Sequence, residues 1–120
     1  MAISLNTRLT ELLGCRYPII QTAMGWVADP KLVAATGNAG GFGFLAGATI
    51  EPQQMEAAIL ETRRLTDQPF GVNFHMYQAN AGEIVDLVLR HKVRAVSSPA
   101  PRIFNALVSS CVRLMPVWRR

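Results

Sequence analysis

The sequence predicts an α/β fold in which parallel strands alternate with amphipathic helices. Three observations carry that expectation. Apolar runs of strand length recur between segments whose apolar residues fall at helical spacing. Gly, Pro or Asp punctuates most of the changes from one period to the other. Half of the 120 residues are hydrophobic, enough for one domain with a true core.

Residues 5–14 read as a short helix, with Leu5, Leu9, Leu12 and Leu13 at helical spacing and Gly14 as its stop. "YPIIQTAM" (17–24) reads as a strand, since Pro18 suits a strand's start and Ile19 and Ile20 favour the pleat. In "DPKLVAATGNAG", Asp29 is placed to cap a helix and Pro30 to open it. "FGFLAG" (42–47) is a second strand. Pro52 opens a longer helix to about Leu65, with Met55, Ala58, Ile59 and Thr62 on one stripe.

"DQPFGVNFH" (67–75) follows as a third strand. Residues 79–91 make an amphipathic helix through Ile84, Val85, Leu87, Val88 and Leu89. "VRAVS" (93–97) is a fourth strand, "PRIFNALVSS" a helix begun by Pro101, and "VRLMPVW" (112–118) a fifth strand. Alternation at this pitch implies right-handed crossovers and a parallel sheet. Two arrangements satisfy it, a doubly wound open sheet and part of a (β/α)8 barrel. A whole barrel takes ~250 residues, so length alone favours the open sheet.

Charge and cysteines narrow the function classes. The net charge of +4 and pI of about 9.7 come from ten arginines and two lysines dispersed along the chain. No dense basic run interleaved with aromatics marks a nucleic-acid surface, so no nucleic-acid partner is expected. Cys15 and Cys111 stand far apart, outside any CxxC spacing, and read as reduced thiols. "MAISLNTRLTELLG" lacks the apolar core of a signal peptide, and no run is long enough to span a bilayer. The expected location is cytoplasmic, with no membrane partner.

One motif fails its context. Gly41 to Ala46 matches GxGxxA, with Glu61 as a distant acid. A dinucleotide-binding loop needs a strand before the glycines and a helix N-terminus after them. Here the helix comes first and the strand second, which describes a tight turn into a strand.

The third strand poses the functional question. Side chains alternate along a strand, so Phe70, Val72 and Phe74 share one face while Gly71, Asn73 and His75 share the other. A glycine, an amide and an imidazole in a row are not a packing face.

Four stretches, "YPIIQTAMGWVADPKLVAAT", "NAGGFGFLAG", "PFGVNFHMYQ" and "VRAVS", together resemble the N-terminal third of the nitronate monooxygenases, from about Tyr17 to Ser97 and more loosely through "VRLMPV". That family consists of FMN-dependent (β/α)8 barrels. The resemblance therefore implies α/β architecture as a partial (β/α)8 TIM barrel, about five parallel strands with intervening helices, in one domain over residues 1–120. It implies that Phe70, Val72 and Phe74 pack outward against helices, Gly71 leaves room low in the barrel, and Asn73 reaches the mouth to hydrogen-bond the flavin. It implies that Ala23, Met24 and Gly25 lay main chain against the flavin, with Thr22 a small neighbour.

The implied cofactor is FMN, and the implied reactants are an alkyl nitronate and O2, giving a carbonyl compound and nitrite. The family's histidine base lies later in the barrel, so His75 is assigned no catalytic role. "WRR" after "MPV" departs from the small residues expected there, and the resemblance leaves the late phosphate-binding loops unmatched. The expectation is an incomplete barrel, inactive alone, with unpaired sheet edges open to self-association. Two alternatives stand beside it: a flavin-dependent enoyl-acyl-carrier-protein reductase-like fragment, and a non-catalytic α/β remnant or interaction domain.

Overall fold

A computed structural model describes residues 5–98. The predicted helix from Pro101, the fifth strand at 112–118 and Cys111 lie outside the described residues. Within them the order is α1 (Arg8–Leu13), β1 (Ile20–Gln21), α2 (Pro30–Asn38), β2 (Phe42–Ala46), α3 (Pro52–Leu65), β3 (Gly71–Asn73), α4 (Ala81–Arg90) and β4 (Ala95–Ser97).

All strand pairs are parallel and their spatial order is β1-β2-β3-β4. A doubly wound sheet reverses its strand order at a switch point. No reversal occurs here. Sequential order with crossovers of one hand places every connecting helix on the same side, which is the winding of a (β/α)8 barrel. Topology thus overrides the argument from length.

The helices form where their caps and stripes dictate. Asp29 caps α2 by accepting from Leu32 N–H at 2.9 Å, with Pro30 in the first turn. At α3, Gln54 accepts the Glu51 N–H at 3.1 Å, and the buried stripe is Met55, Ile59 and Thr62, with Ala58 beside it. Thr7 and Thr10 close a capping box at α1, and Gly14 ends that helix at φ 73°, a left-handed turn that suits glycine. The apolar stripe of α1 differs from expectation: Leu5, Leu9 and Leu12 are exposed among the described residues.

The core fills the space between the sheet and α2–α4. Leu45, Met55, Ile59, Val72, Phe74 and Ile84 are each at most 1 % exposed within it. On the solvent side His91 Nε2 meets Glu56 Oε1 at 2.8 Å, tying the end of α4 to α3.

Two strands are shorter than their sequence patterns. β1 keeps two of the eight predicted residues because Gly40 O accepts from both Arg16 N–H (2.9 Å) and Tyr17 N–H (2.8 Å), holding that segment in a turn. Beyond Gln21, its own side-chain amide donates to Thr22 O and to Phe44 O, which closes the ladder. β3 begins only at Gly71, because Thr66 Oγ1 accepts Gln68 N–H at 3.1 Å and Pro69 has no N–H to give. The GxGxxA stretch runs from the end of α2 into β2, as its order requires.

Candidate functional site

In this winding the loops that follow the strands gather at one end, where barrels carry their chemistry. Register fixes what arrives there. Asn73 is level with Ala46 on one side and Ser97 on the other. One step back along the strands, Val72 stands beside Leu45 on the helix side, fully buried. The faces separate as the alternation predicts: Phe70, Val72 and Phe74 are 5 %, 0 % and 1 % exposed in the helix-side core.

Gly71 explains itself on the opposite face. A Cβ there would lie 2.3 Å from Cε1 of Phe44 and 3.0 Å from Ala95 O, so the aromatic ring of the neighbouring strand occupies the room that glycine leaves. Phe44 in turn meets Phe42 edge-on at 5.2 Å. The floor of the inner face is therefore aromatic and filled.

Above that floor stands Asn73. Its Nδ2 donates to Ser97 O at 3.0 Å and to Ser97 Oγ at 3.3 Å, while its main-chain O accepts from Gly47 N–H at 2.7 Å. The side-chain amide is thereby held by β4, and the main chain by Gly47, which follows β2. Its Oδ1 accepts no hydrogen bond among the described residues, leaving one acceptor at the mouth.

Two residues on, His75 is half-buried and its ring stacks on Tyr77, with centroids 5.1 Å apart and planes 11° from parallel. Gln78 fixes the loop from both sides. Its Oε1 accepts His75 N–H at 2.9 Å, its own N–H donates to His75 O at 3.1 Å, and its Nε2 donates to Asn80 Oδ1 at 2.5 Å. His75 Nδ1 is buried without a hydrogen-bond partner among the described residues.

At the end of β1, Ala23 is half-buried while Met24 and Gly25 are exposed. Met24 O accepts from Val27 N–H (3.1 Å) and Ala28 N–H (2.8 Å), which forms the turn into α2. The main-chain N–H groups of Ala23, Met24 and Gly25 donate to nothing among the described residues. Apart from its two chain neighbours, no atom of the described residues lies within 4 Å of a Cβ built on Gly25, so space remains beside that backbone. Trp26 follows at φ 61°, a strained conformation for tryptophan, and is 91 % exposed.

A free amide oxygen, three free main-chain donors and a buried orphan nitrogen at one end of the sheet suit a planar ligand edged with both donors and acceptors. The expected FMN is such a group. Sequence reasoning placed Asn73 on its face but missed Ser97 and Gln78, which hold the site's polar groups. Their signal, a polar residue at the end of "VRAVS" and another just beyond "FH", becomes informative only once the strand register is known.

The opposite end of the sheet carries a different feature, a groove of about 420 Å³ lined by Arg63, Asp67, Lys92 and Arg94 among others. Arg94 Nε donates to Leu12 O at 2.9 Å and Arg63 to His91 O, so its arginines already cap helix ends. No cluster of His, Cys, Asp or Glu among the described residues could hold a metal. No helix among them is long and apolar enough to cross a membrane.

Comparison with known proteins gives three results. The profile described as nitronate monooxygenase matches residues 6–101. Over 116 residues the chain is 45 % identical to the (3aS,4S,5R,7aS)-5-hydroxy-7a-methyl-1-oxo-octahydro-1H-indene-4-carboxyl-CoA dehydrogenase of Rhodococcus jostii, covering 94 % of this chain and 33 % of that one. It is 46 % identical over 68 residues to a probable nitronate monooxygenase of Staphylococcus aureus, covering 57 % of this chain and 19 % of the relative.

Among solved structures, the FabK (M276A) mutant from Thermotoga maritima superposes with TM-score 0.80 at 34 % identity, over 88 % of this chain and 36 % of that one. Nitroalkane oxidase from Streptomyces ansochromogenes does so with TM-score 0.66 at 30 % identity, over 77 % of this chain and 36 % of that one. The chain thus spans a third or less of the length of the curated relatives described here.

Proposed function

The chain belongs to the nitronate monooxygenase family, and from that premise we propose that residues 1–120 supply the N-terminal units of an FMN-dependent barrel oxidoreductase acting on a coenzyme A thioester. The observation that carries the cofactor is the clasped amide of Asn73. Ser97 holds its Nδ2 and leaves Oδ1 facing the mouth, where a ring N–H of the flavin edge would donate to it. The free N–H groups of Ala23, Met24 and Gly25 would donate to the flavin's acceptors, and the open space beside Gly25 admits the ring. FMN, when bound, supplies the redox chemistry, and the protein's part is to bind, orient and exclude water.

The thioester follows from the relative at 45 % identity, whose name specifies a hydroxylated carboxyl-CoA. A second reading, oxidation of an alkyl nitronate with O2, is supported by the family profile and by the likeness to nitroalkane oxidase. A third, reduction of an enoyl thioester, is supported by the superposition on FabK. A non-catalytic α/β interaction domain is the reading left if no flavin binds. β1 and β4 each have one edge unpaired among the described residues, which favours self-association of the isolated chain.

The test is an FMN titration of the 120-residue chain, read as flavin fluorescence, beside Asn73→Ala. Saturable quenching that weakens about tenfold in the variant, the worth of a hydrogen bond or so, supports the cofactor site. A folded, soluble chain that leaves FMN fluorescence unchanged overturns it. With flavin bound, flavin reduction by a 3-hydroxyacyl-CoA supports the thioester reading. Nitrite release from a nitronate supports the second, and nicotinamide oxidation driven by an enoyl thioester the third.

A further inference from the structure

Among the described residues, the two most exposed large apolar side chains are Trp26 at 91 % and Tyr77 at 73 %. Both stand in loops that follow strands, Trp26 after β1 and Tyr77 after β3. Met24 and Val27, in the turn that holds Trp26, are exposed as well.

Neither ring takes its place by default. Val27 N–H donates to Met24 O at 3.1 Å, which closes a turn with Gly25 and Trp26 at its centre. Trp26 holds φ 61° in the third position of that turn, where a left-handed residue is usually glycine. The turn's own glycine stands one place earlier, at Gly25, where φ is not left-handed. Exchanging the two residues would relieve the strain. The present order keeps bare backbone at 25 and an exposed indole at 26.

Tyr77 is held differently. Its ring stacks on His75, with centroids 5.1 Å apart and planes 11° from parallel. Gln78 braces the same loop, accepting His75 N–H at 2.9 Å and donating from Nε2 to Gly47 O at 3.4 Å. A ring fixed in advance loses less entropy when a ligand packs on it.

β1 and β3 flank β2, so the two loops start about 10 Å apart, at ~4.8 Å between neighbouring strands. A carbon ring touching an aromatic face on either side, at roughly 3.5–4.0 Å per contact, spans about that distance. A short linear chain does not. In the cofactor reading above, the flavin edge lies against Asn73 and Gly25. Trp26 is the next residue after Gly25, and Tyr77 comes later in the loop after Asn73. Both rings therefore belong to the layer over the flavin, where substrate sits.

We propose that Trp26 and Tyr77 are specificity-determining residues that hold the acyl carbon skeleton of the thioester between their rings and favour a cyclic skeleton over a short linear one. Aromatic faces recognise hydrocarbon by burial, which scales with the apolar area covered. The adenine of coenzyme A is not the occupant, because the acyl carbons are the part that must reach the flavin beside these rings. This inference deepens the thioester reading and rests on it for the substrate class.

The chain has two tryptophans, so Trp118→Phe leaves Trp26 as the only indole. Its emission is followed while the chain, with and without FMN, is titrated with cyclohexanecarboxyl-CoA, butyryl-CoA or free CoA. A blue shift is expected with cyclohexanecarboxyl-CoA, as the indole leaves water, and none with free CoA. Calorimetry on the unaltered chain should show cyclohexanecarboxyl-CoA binding about tenfold more tightly than butyryl-CoA, the worth of added carbons in an apolar pocket. Trp26→Gly, which relieves the strain of the turn, and Tyr77→Ala should each lose most of that preference. Tyr77→Phe keeps the ring and should retain it.

Three results overturn the proposal alone: the same blue shift with free CoA, equal affinity for the two thioesters, or an unchanged preference in both Trp26→Gly and Tyr77→Ala. Failure of either thioester to bind at millimolar concentration ends the thioester reading and the proposal with it. A chain that keeps the acyl preference but leaves FMN fluorescence unchanged loses the cofactor reading and retains the two specificity residues.

Discussion

The two faces of β3 obey opposite rules. Toward the helices, Phe70, Val72 and Phe74 are closed into the core cluster with Met55, Ile59 and Ile84. Toward the barrel interior, Gly71 makes way for a ring, and among the described residues Asn73 Oδ1 and the buried His75 Nδ1 have no hydrogen-bond partner. One face is complete, the other is provisioned. Buried polar atoms in folded proteins are nearly always hydrogen-bonded, so this difference supports the cofactor site proposed above.

The largest effect should come from the complete face. Phe74→Ala removes a fully buried ring and leaves a cavity, which destabilises by about 3–5 kcal/mol, and denaturant unfolding should show it as a lowered midpoint with an unchanged slope. A loss below about 1 kcal/mol would mean that the helix side is not close-packed.

Gly71→Ala probes the floor between the faces. Its Cβ would fall 2.3 Å from the Phe44 ring, so overpacking by about 1–3 kcal/mol is expected. Adding Phe44→Leu should recover part of that loss, because the two sites share the same space. Additive losses in the double variant would show that the ring is not what glycine accommodates.

Asn73→Ala sharpens the comparison by separating stability from binding. Its amide donates to Ser97 alone among the described residues, so unfolding should shift by only about 1 kcal/mol while flavin quenching falls about tenfold. A large stability loss with unaltered quenching would return Asn73 to the structural side.

How far these faces could be read from sequence follows from which forces set them. α3 runs from Pro52 to Leu65 as its spacing predicts, since its capping residues and stripe are local. The sides of Phe70, Val72, Phe74 and Asn73 follow from period two alone. β1 was over-read, because the Gly40 carbonyl that captures Arg16 and Tyr17 lies more than twenty residues away in sequence. Ser97 was missed for the same reason: the register between β3 and β4 is not written in either strand. The alternation of strands and helices was legible, but the choice of barrel over open sheet needed the strand order or the family motifs.

Trp26 offers a smaller test at the mouth. It holds φ 61° while its ring is 91 % exposed, so strain is present without burial to offset it. Trp26→Gly should stabilise the chain by about 1 kcal/mol, measured by thermal unfolding. A loss of stability instead would place the indole in a contact that matters to folding.

The smallest effect belongs to the outermost layer of the complete face, where Glu56 joins α3 to α4. The hydrogen bond from His91, helped by nearby Arg90, holds the Glu56 carboxyl below its usual range. A carboxylate whose pKa is lower folded than unfolded stabilises fully above the unfolded value, and that contribution disappears as pH falls through the folded one. Stability should therefore decline on acidification below the ordinary glutamate range near 4.5, and Glu56→Gln should flatten that part of the profile. The pair is part-exposed and screened by solvent, so the change should shrink further in high salt. Denaturant midpoints from pH 3 to 7 for both proteins would decide it. Parallel profiles would mean that packing of Met55, Ile59 and Ile84 holds α3 against α4 without help from the charge, and that the completed face depends on burial alone.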